Sequence, residues 1–505
     1  MRNAKRLLVN TAVLTFASIL MQTVGVFFNV YLTNRLGSSG IGLFSLIMTV
    51  YSLCCTLGSG GVRLASTRLT VESDAMGTNK KYVLRRCVLY SLGTGLLFCA
   101  VLYFSSGLIS RLWLEDMRCV RPLKILSLCL PFVAMSNALN GYFTAERKIF
   151  KYSAVRILEQ GVRILTVAAI LTKFLEKGLE NGCVAVVTGT LVSEVFSFTL
   201  LFILWRIECF RTKSVRAPIA GKLLRIALPD VIGSGLRSIL LTIEHILIPI
   251  GFRRSGSSAE NALSVYGNIH GKVFPLLLYP SAVFSSLSGL LVPEIAEYNS
   301  HGRKDRISSV INRILKLTLI YSFFTAGVMF AFAEGLSFVI YNNDESVLYM
   351  SILAPLVPVM YCDMTVDGML KGLDQQFHSM LYNIFDSGLC VVLVYFLLPR
   401  YSVKGYIFIL FASEIINFYL SLRRLIKVSE VRINPIKDIF VPVACSICSV
   451  TSGKLLLGIL CPVNFSVLPV AVCIISALAV YAIMLFTFGS LTKEEVEWAK
   501  GIVIR

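Results

Sequence analysis

Residues 131–150 read PFVAMSNALNGYFTAERKIF, and residues 358–377 read PVMYCDMTVDGMLKGLDQQF. At a constant offset of 227 residues, Pro131 meets Pro358, Gly141 meets Gly368 and Phe150 meets Phe377. The same offset carries Ile157 onto Ile384, Glu159 onto Asp386 and Gly161 onto Gly388. One segment further on the offset is 220, and Ser193-Glu194-Val195 with Phe198 meets Ser413-Glu414-Ile415 with Phe418. Proline, glycine and acidic positions thus recur on both sides of one loop, the mark of an internal duplication. A shorter outer loop in the second copy accounts for the change of offset.

The duplicated segments are mostly apolar, and so is the whole chain. Of 505 residues, 56% are hydrophobic and only 15% charged. Soluble domains run at about 45–50% apolar and about 25% charged, so this surface is unsuited to water. A mean hydropathy of +0.75 points the same way. At about 20 apolar residues per bilayer crossing, the chain offers about fourteen windows. They centre near Ile19, Val50, Leu97, Pro131, Val162, Phe196, Leu236, Tyr279, Tyr321, Val359, Val391, Ile409, Ile447 and Ala477. The basic start, Met1 to Arg6, leads into an apolar run that reaches Leu32 without a clear small-residue cleavage site, and it reads as an uncleaved first span.

A net charge of +19 raises the question of nucleic acid. The distribution of the cations answers it. With the N-terminus inside, inner loops hold Arg63, Arg68, Lys80, Lys81, Arg85 and Arg86, then Arg147, Lys148 and Lys151, and later Arg303, Lys304 and Arg306. Outer loops hold far fewer, among them Arg35, Lys177 and Arg400. This is the positive-inside bias of a polytopic membrane protein, with no nucleic acid invoked. It predicts a multi-pass protein of the cell membrane with cytoplasmic N- and C-termini. The tail from Leu491 to Arg505 reads as a short interfacial helix.

The expected fold is all-α, with two pseudo-symmetric six-helix bundles and two further C-terminal helices. The expected division is 1–215 for the first lobe, 216–430 for the second, and 431–505 for the extra helices and tail. Both copies of the repeat begin after an even number of spans, so they point the same way across the membrane. Parallel repeats of this kind are a transporter architecture, with substrate held between the halves.

Ionisable side chains within apolar spans are costly and mark functional positions. In the fifth span Arg156, Glu159 and Arg163 fall at i, i+3 and i+7, on one helix face. In the seventh, Asp230, Arg237 and Glu244 form a heptad-spaced stripe about 21 Å long. Pro229, Gly233 and Gly235 beside it invite a kink. The tenth span holds Asp363 and Asp367, the eleventh Asp386, and the eighth His270 and Lys272. Glu194 and Glu414, each after a serine at matched positions, read as helix-packing contacts. Guanidinium groups suit a diphosphate, which they bind in a bidentate fashion. Acids at mid-depth suit Na⁺, H⁺ or an organic cation. The residues alone therefore leave the charge of the cargo open, and Arg156–Glu159–Arg163 also reads as mutual pairing.

Other chemistry finds little support. The 14 cysteines lie mostly in apolar runs and suggest neither disulfides nor a metal. Cys445-x-x-Cys448 has no second pair. The four histidines form no H-E-x-x-H, and Gly267–Lys272 is one residue short of a phosphate loop. No cofactor or metal is expected. A polytopic membrane enzyme would want acids in an outer loop, and Thr33–Gly40 has none, so that class stays a minor alternative.

Several local stretches carry a family likeness. They are Gly141-Tyr142-Phe143 through Arg156-Ile157-Leu158-Glu159-Gln160-Gly161-Val162-Arg163, then Leu224-Arg225-Ile226-Ala227-Leu228-Pro229, Val265-Tyr266-Gly267 and Leu291-Val292-Pro293-Glu294-Ile295. With the two six-span halves and two extra helices, the chain resembles the multidrug/oligosaccharidyl-lipid/polysaccharide exporter superfamily over nearly its whole length. Within it, the likeness is to the polysaccharide-biosynthesis, stage V sporulation protein B-like branch. The resemblance implies a flippase, not an enzyme. It would turn an undecaprenyl-diphosphate-linked oligosaccharide or cell-wall precursor from inner to outer leaflet by alternating access. On that reading Arg156, Arg163, Arg237 and Lys272 meet the diphosphate. Glu159, Asp230, Glu244, Asp363, Asp367 and Asp386 shape the cavity or couple Na⁺ or H⁺, and the partners are the lipid-linked saccharide and membrane lipids. The alternative within the superfamily is a cation-coupled multidrug exporter. Related peptidoglycan-precursor flippases carry Arg in the first span, whereas Asn10–Tyr31 here contains neither Lys nor Arg.

Overall fold

The computed structural model describes residues 2–73, 79–208, 220–429, 431, 434–460 and 465–492. Among these the secondary structure is helical throughout, with no strand. The part of the proposed interfacial tail from residue 493 onward lies outside the described residues.

In chain order the helices are α1 (Arg2–Ser59), α2 (Val62–Glu72), α3 (Lys80–Leu108), α4 (Val120–Ser127), α5 (Leu130–Ala145) and α6 (Ile149–Leu175). There follow α7 (Leu179–Glu208), α8 (Ala220–Arg254), α9 (Ala259–Tyr266), α10 (Phe274–Leu278), α11 (Ala282–Ser300) and α12 (Lys304–Ala331). The last six are α13 (Ala333–Tyr341), α14 (Val347–Leu353), α15 (Val357–Gly372), α16 (Gln376–Ser429), α17 (Val441–Leu460) and α18 (Val467–Thr487). Among the described residues nine helical stretches are long and apolar enough to cross a membrane, or ten if the bent pair at Met117–Ser127 and Leu130–Ala145 is one crossing. Large side chains on these helices face outward, with Phe104 83% and Ile459 77% exposed. Water would penalise that surface and lipid would not, so the chain is a multi-pass membrane protein.

Two of the helices are too long for one crossing. At 1.5 Å per residue, α1 and α16 would each span more than about 80 Å against a hydrocarbon core of about 30 Å. Each contains one non-helical residue, Gly37 (φ 71°, ψ 177°) in α1 and Ser402 (φ 48°, ψ −132°) in α16. The left-handed φ costs nothing at Gly37, because glycine has no Cβ.

The chain forms two compact units. One contains Ser39–Ile250 and Ala259–Ser264, and is called here the N-unit. The other contains Met1–Ser38, Gly251–Ser258 and Val265–Arg505, the C-unit. This partition interleaves the chain-order division at 215/216. The first leg of α1 packs with the C-unit, and most of α8 packs with the N-unit. Within the N-unit, α6 lies along α7, and α5 packs against α2 and α3. Leu69, Leu84, Leu139, Phe143, Leu201 and Trp205 fill the centre. Within the C-unit, α15 packs against α11, α12 and α16, and α17 against α12 and α18.

The repeated glycines do different jobs. A Cβ on Gly141 would lie 2.6 Å from the Arg63 carbonyl oxygen and 2.7 Å from the Ser66 Cβ, so only glycine lets α5 approach α2 this closely. A Cβ on Gly161 or Gly388 would meet nothing within 4 Å. In the Gly58–Gly61 run, a Cβ on Gly61 (φ 63°) would lie 2.5 Å from the Ala227 carbonyl oxygen, and one on Gly60 2.8 Å from Val231 Cγ2. These are the close contacts that let α8 join the N-unit. α8 stays helical through Pro229 and Pro249. Proline is tolerated within membrane helices, where neighbouring helices and local adjustment satisfy the freed backbone groups.

Candidate functional site: the duplicated polar stripe

The fifth-span triad forms on α6 as the spacing predicts. Glu159 is 2% exposed and accepts from both flanking arginines, from Arg156 Nη1 at 2.7 Å and from Arg163 Nη2 at 3.0 Å. The arginines are more open, with side chains 36% and 29% exposed. From α7, Ser193 Oγ accepts from Arg163 Nε at 3.2 Å, and Glu194 Oε1 lies 3.6 Å from Arg163 Nη2. A sealed carboxylate therefore orients two partly open guanidiniums. Two charge-assisted bonds to one acid fix their headings more firmly than a single ion pair would. Arg156 keeps Nε and Nη2 outside these bonds, and Arg163 keeps Nη1.

The second copy reproduces the geometry with different chemistry. At the 227-residue offset, Asn383 stands for Arg156, Asp386 for Glu159 and Cys390 for Arg163. Ser413, the counterpart of Ser193, donates to Asp386 Oδ1 at 2.6 Å and accepts from Cys390 Sγ at 3.0 Å. The serine one helix over thus meets the stripe at the same level in both copies. Nearby on α15, Asp363 accepts from Asn417 at 3.1 Å and Asp367 from Ser379 at 2.6 Å. Each of these three acids accepts from a neutral donor. The first copy is arginine-bearing; the second is acidic and serine- and asparagine-rich.

The seventh-span stripe divides. Asp230 and Arg237 on α8 are exposed, whereas Glu244 is buried. Lys272 lies elsewhere, in a π-helical turn over Gly267–Val273. Its ammonium is 1% exposed, 2.7 Å from Ser38 Oγ and 3.1 Å from Glu345 Oε2. The residues missed from sequence are Ser193, Ser413, Asn417, Ser379, Ser38 and Glu345. Ser193 and Ser413 were marked by the repeat; the others carried no local signal.

A separate apolar crevice of about 610 Å³ opens in the C-unit between α11, α12 and α18. Val283, Phe324, Val328, Ile474, Leu478 and Tyr481 are among its lining residues.

A family model described as polysaccharide biosynthesis protein matches residues 7–298, more than half of the chain. The chain belongs to that family. A second model, MatE, matches residues 271–396 of this family member, within the C-terminal half. Stage V sporulation protein B of Bacillus subtilis (strain 168) is 24% identical over 407 residues, 78% of each chain. The lipid II flippase MurJ of the same organism is 21% identical over 417 residues, 74% of each. Among solved structures, one described as lipid II flippase MurJ in an inward closed conformation superposes with a TM-score of 0.70 at 16% identity, covering 94% of this chain and 98% of that one. An inward-facing multidrug resistance MATE family transporter of the multidrug/oligosaccharidyl-lipid/polysaccharide superfamily gives 0.63 at 14% identity, with 84% and 100% covered. The chain thus has the all-α fold of these two structures, as its sequence suggested.

Proposed function

We propose that the protein is a flippase for a lipid-linked saccharide, carrying an undecaprenyl-diphosphate head from the inner to the outer leaflet of the cell membrane by alternating access. The observation that carries this reading is the sealed Glu159 holding Arg156 and Arg163 half-open on α6. Each guanidinium keeps N–H groups outside its bond to Glu159, and a phosphate meets such groups with matching geometry. Arg237, exposed on α8, is the third cation of the proposed contact set. Lys272 is set apart, because its ammonium is already engaged by Ser38 and Glu345. The apolar crevice suits a polyprenyl tail, which stays in hydrocarbon while the head crosses. The curated relative named as a lipid II flippase supports the substrate class.

Two crossings each in α1 and α16, with one in α6 and one in the α9–α11 run, bring the proposed crossings to about fourteen and keep both termini cytoplasmic. The chain itself makes and breaks no covalent bond on this reading.

The test is translocation in reconstituted vesicles with defined undecaprenyl-diphosphate saccharides. Arg156→Ala, Arg163→Ala and Arg237→Ala should each slow flipping by about tenfold or more, the loss of one charge-assisted phosphate contact. Undiminished flipping in all three folded variants would refute the contact set. The second reading, a Na⁺- or H⁺-coupled drug exporter, is favoured by the gathering of three acids, Asp363, Asp367 and Asp386, in the second copy, where they accept from Asn417, Ser379 and Ser413. It predicts cation-driven drug efflux abolished by Asp386→Asn, with the arginine variants unaffected.

A further inference from the structure

The interleaving of the two units gives the break in α1 a special position. The chain leaves the C-unit at Ser38, one residue past Gly37, and enters the N-unit at Ser39. Ser38–Ser39 is one of the chain's passages between the units, and Gly37 is the conformationally free residue beside it. The next residue, Ser38, is 8% exposed and is not free. Its hydroxyl accepts from Lys272 Nζ at 2.7 Å and donates to Glu345 Oε2. Lys272 closes the triangle with Glu345 at 3.1 Å and lies over the Tyr341 ring.

The surrounding backbone is tied at the same level. A π-helical turn shifts the ladder and leaves carbonyls short of their usual helical donors. Around the Gly267–Val273 turn, side chains from two other segments supply donors. Asn29 Nδ2 donates to the Gly271 carbonyl at 2.7 Å, and the Tyr341 hydroxyl donates to the Lys272 carbonyl at 2.9 Å. The loop that carries Glu345 is itself pinned by Ser337, which bonds the Asn343 carbonyl at 2.7 Å and Ser346 at 2.6 Å. The first leg of α1, the π-turn and the loop after α13 thus meet at one point beside the unit connector.

The energetics are asymmetric. Lys272 is buried, whereas the Glu345 side chain is 49% exposed. A buried ammonium tolerates its position only with a counter-charge, and here that charge sits on a loop within reach of water. We propose that Ser38, Lys272 and Glu345 form a polar latch on the Gly37 hinge, holding the connector in one conformation until Glu345 withdraws. The latch requires no assignment of cargo, so it stands or falls separately from the flippase reading.

Hydrogen–deuterium exchange on the full-length protein in lipid tests it directly. Glu345→Gln keeps the loop residue's size and removes the counter-charge. Peptides covering residues 33–43 should then exchange about tenfold faster than in the native protein, as a lost partner to a buried charge implies. Ser38→Ala, which leaves the Lys272–Glu345 pair in place, should give a smaller rise. Peptides from α6 and α7 should be unchanged in both variants. Unaltered exchange at 33–43 in Glu345→Gln would overturn the latch. A rise spread equally over α6 and α7 would also overturn it, by showing a general structural role.

Discussion

Exchanging Glu159 for glutamine removes the one charge that joins Arg156 to Arg163 while keeping the side chain's shape. Both native bonds are charge-assisted, at 2.7 and 3.0 Å, and the carboxylate is 2% exposed. Breaking a fully buried ion pair costs about 3–5 kcal/mol. Here the arginines are partly solvated, and glutamine still offers one acceptor, so the discounted cost is about 2 kcal/mol. For a unit of this size that is a fall in melting temperature of roughly 4 °C. The matched change Asp386→Asn in the second copy weakens a bond from a neutral serine hydroxyl and should cost only about 1 kcal/mol. Thermal unfolding in detergent or nanodisc, with both variants side by side, reads the difference. Flipping should also drop more in Glu159→Gln, because its arginines lose their headings. Equal shifts for the two variants, or a more stable Glu159→Gln, would refute the claim that the first copy is organised around a sealed carboxylate.

Other expectations follow from single contacts. Gly141→Ala should destabilise by about 1–3 kcal/mol, since its Cβ would press on α2 backbone, while Gly161→Ala should be neutral or better; melting temperatures decide. Leu478→Trp, which fills part of the apolar crevice, should slow flipping of long polyprenyl substrates more than of short-chain analogues, with folding unchanged. The Glu345 carboxyl is held below its usual range, first by the hydrogen bond from Ser38 and then by Lys272. A depressed folded-state pKa means stabilisation that is complete above the ordinary carboxylate range and lost as pH falls through the lowered value. Protection at residues 33–43, with exchange corrected for its intrinsic pH dependence, should accordingly stay flat from about pH 8 to about pH 5 and fall only in stronger acid.

Much of the fold was legible because two kinds of signal are local. Apolar windows mark spans, and every expected centre lies on a described helix or helical turn. The i, i+3, i+7 spacing placed Arg156, Glu159 and Arg163 on one face, and the structure joins them. The repeat paired Glu159 with Asp386, and the structure adds that Asn383 and Cys390 stand at the arginine positions. Ser193 and Ser413 stood at matched positions, but their contact with the stripe shows only in the structure. What sequence could not supply was contact between distant segments. Lys272 meets Ser38 across 234 residues and Glu345 across 73, and no periodicity links them. The interleaved units escaped for the same reason, since chain order gave no hint that α1's first leg packs with the C-unit. The π-turn at 267–273 was hidden too, because i→i+5 bonding follows from its tertiary partners.

The most direct measurement is leaflet-to-leaflet transfer of an undecaprenyl-diphosphate saccharide by the purified protein in liposomes, compared with Arg156→Ala/Arg163→Ala. The account predicts transfer by the native protein and its near-abolition in the double variant, which remains folded. Transfer that proceeds equally well without both arginines, or native protein that moves a cationic drug against Na⁺ or H⁺ and no lipid-linked saccharide, would contradict it.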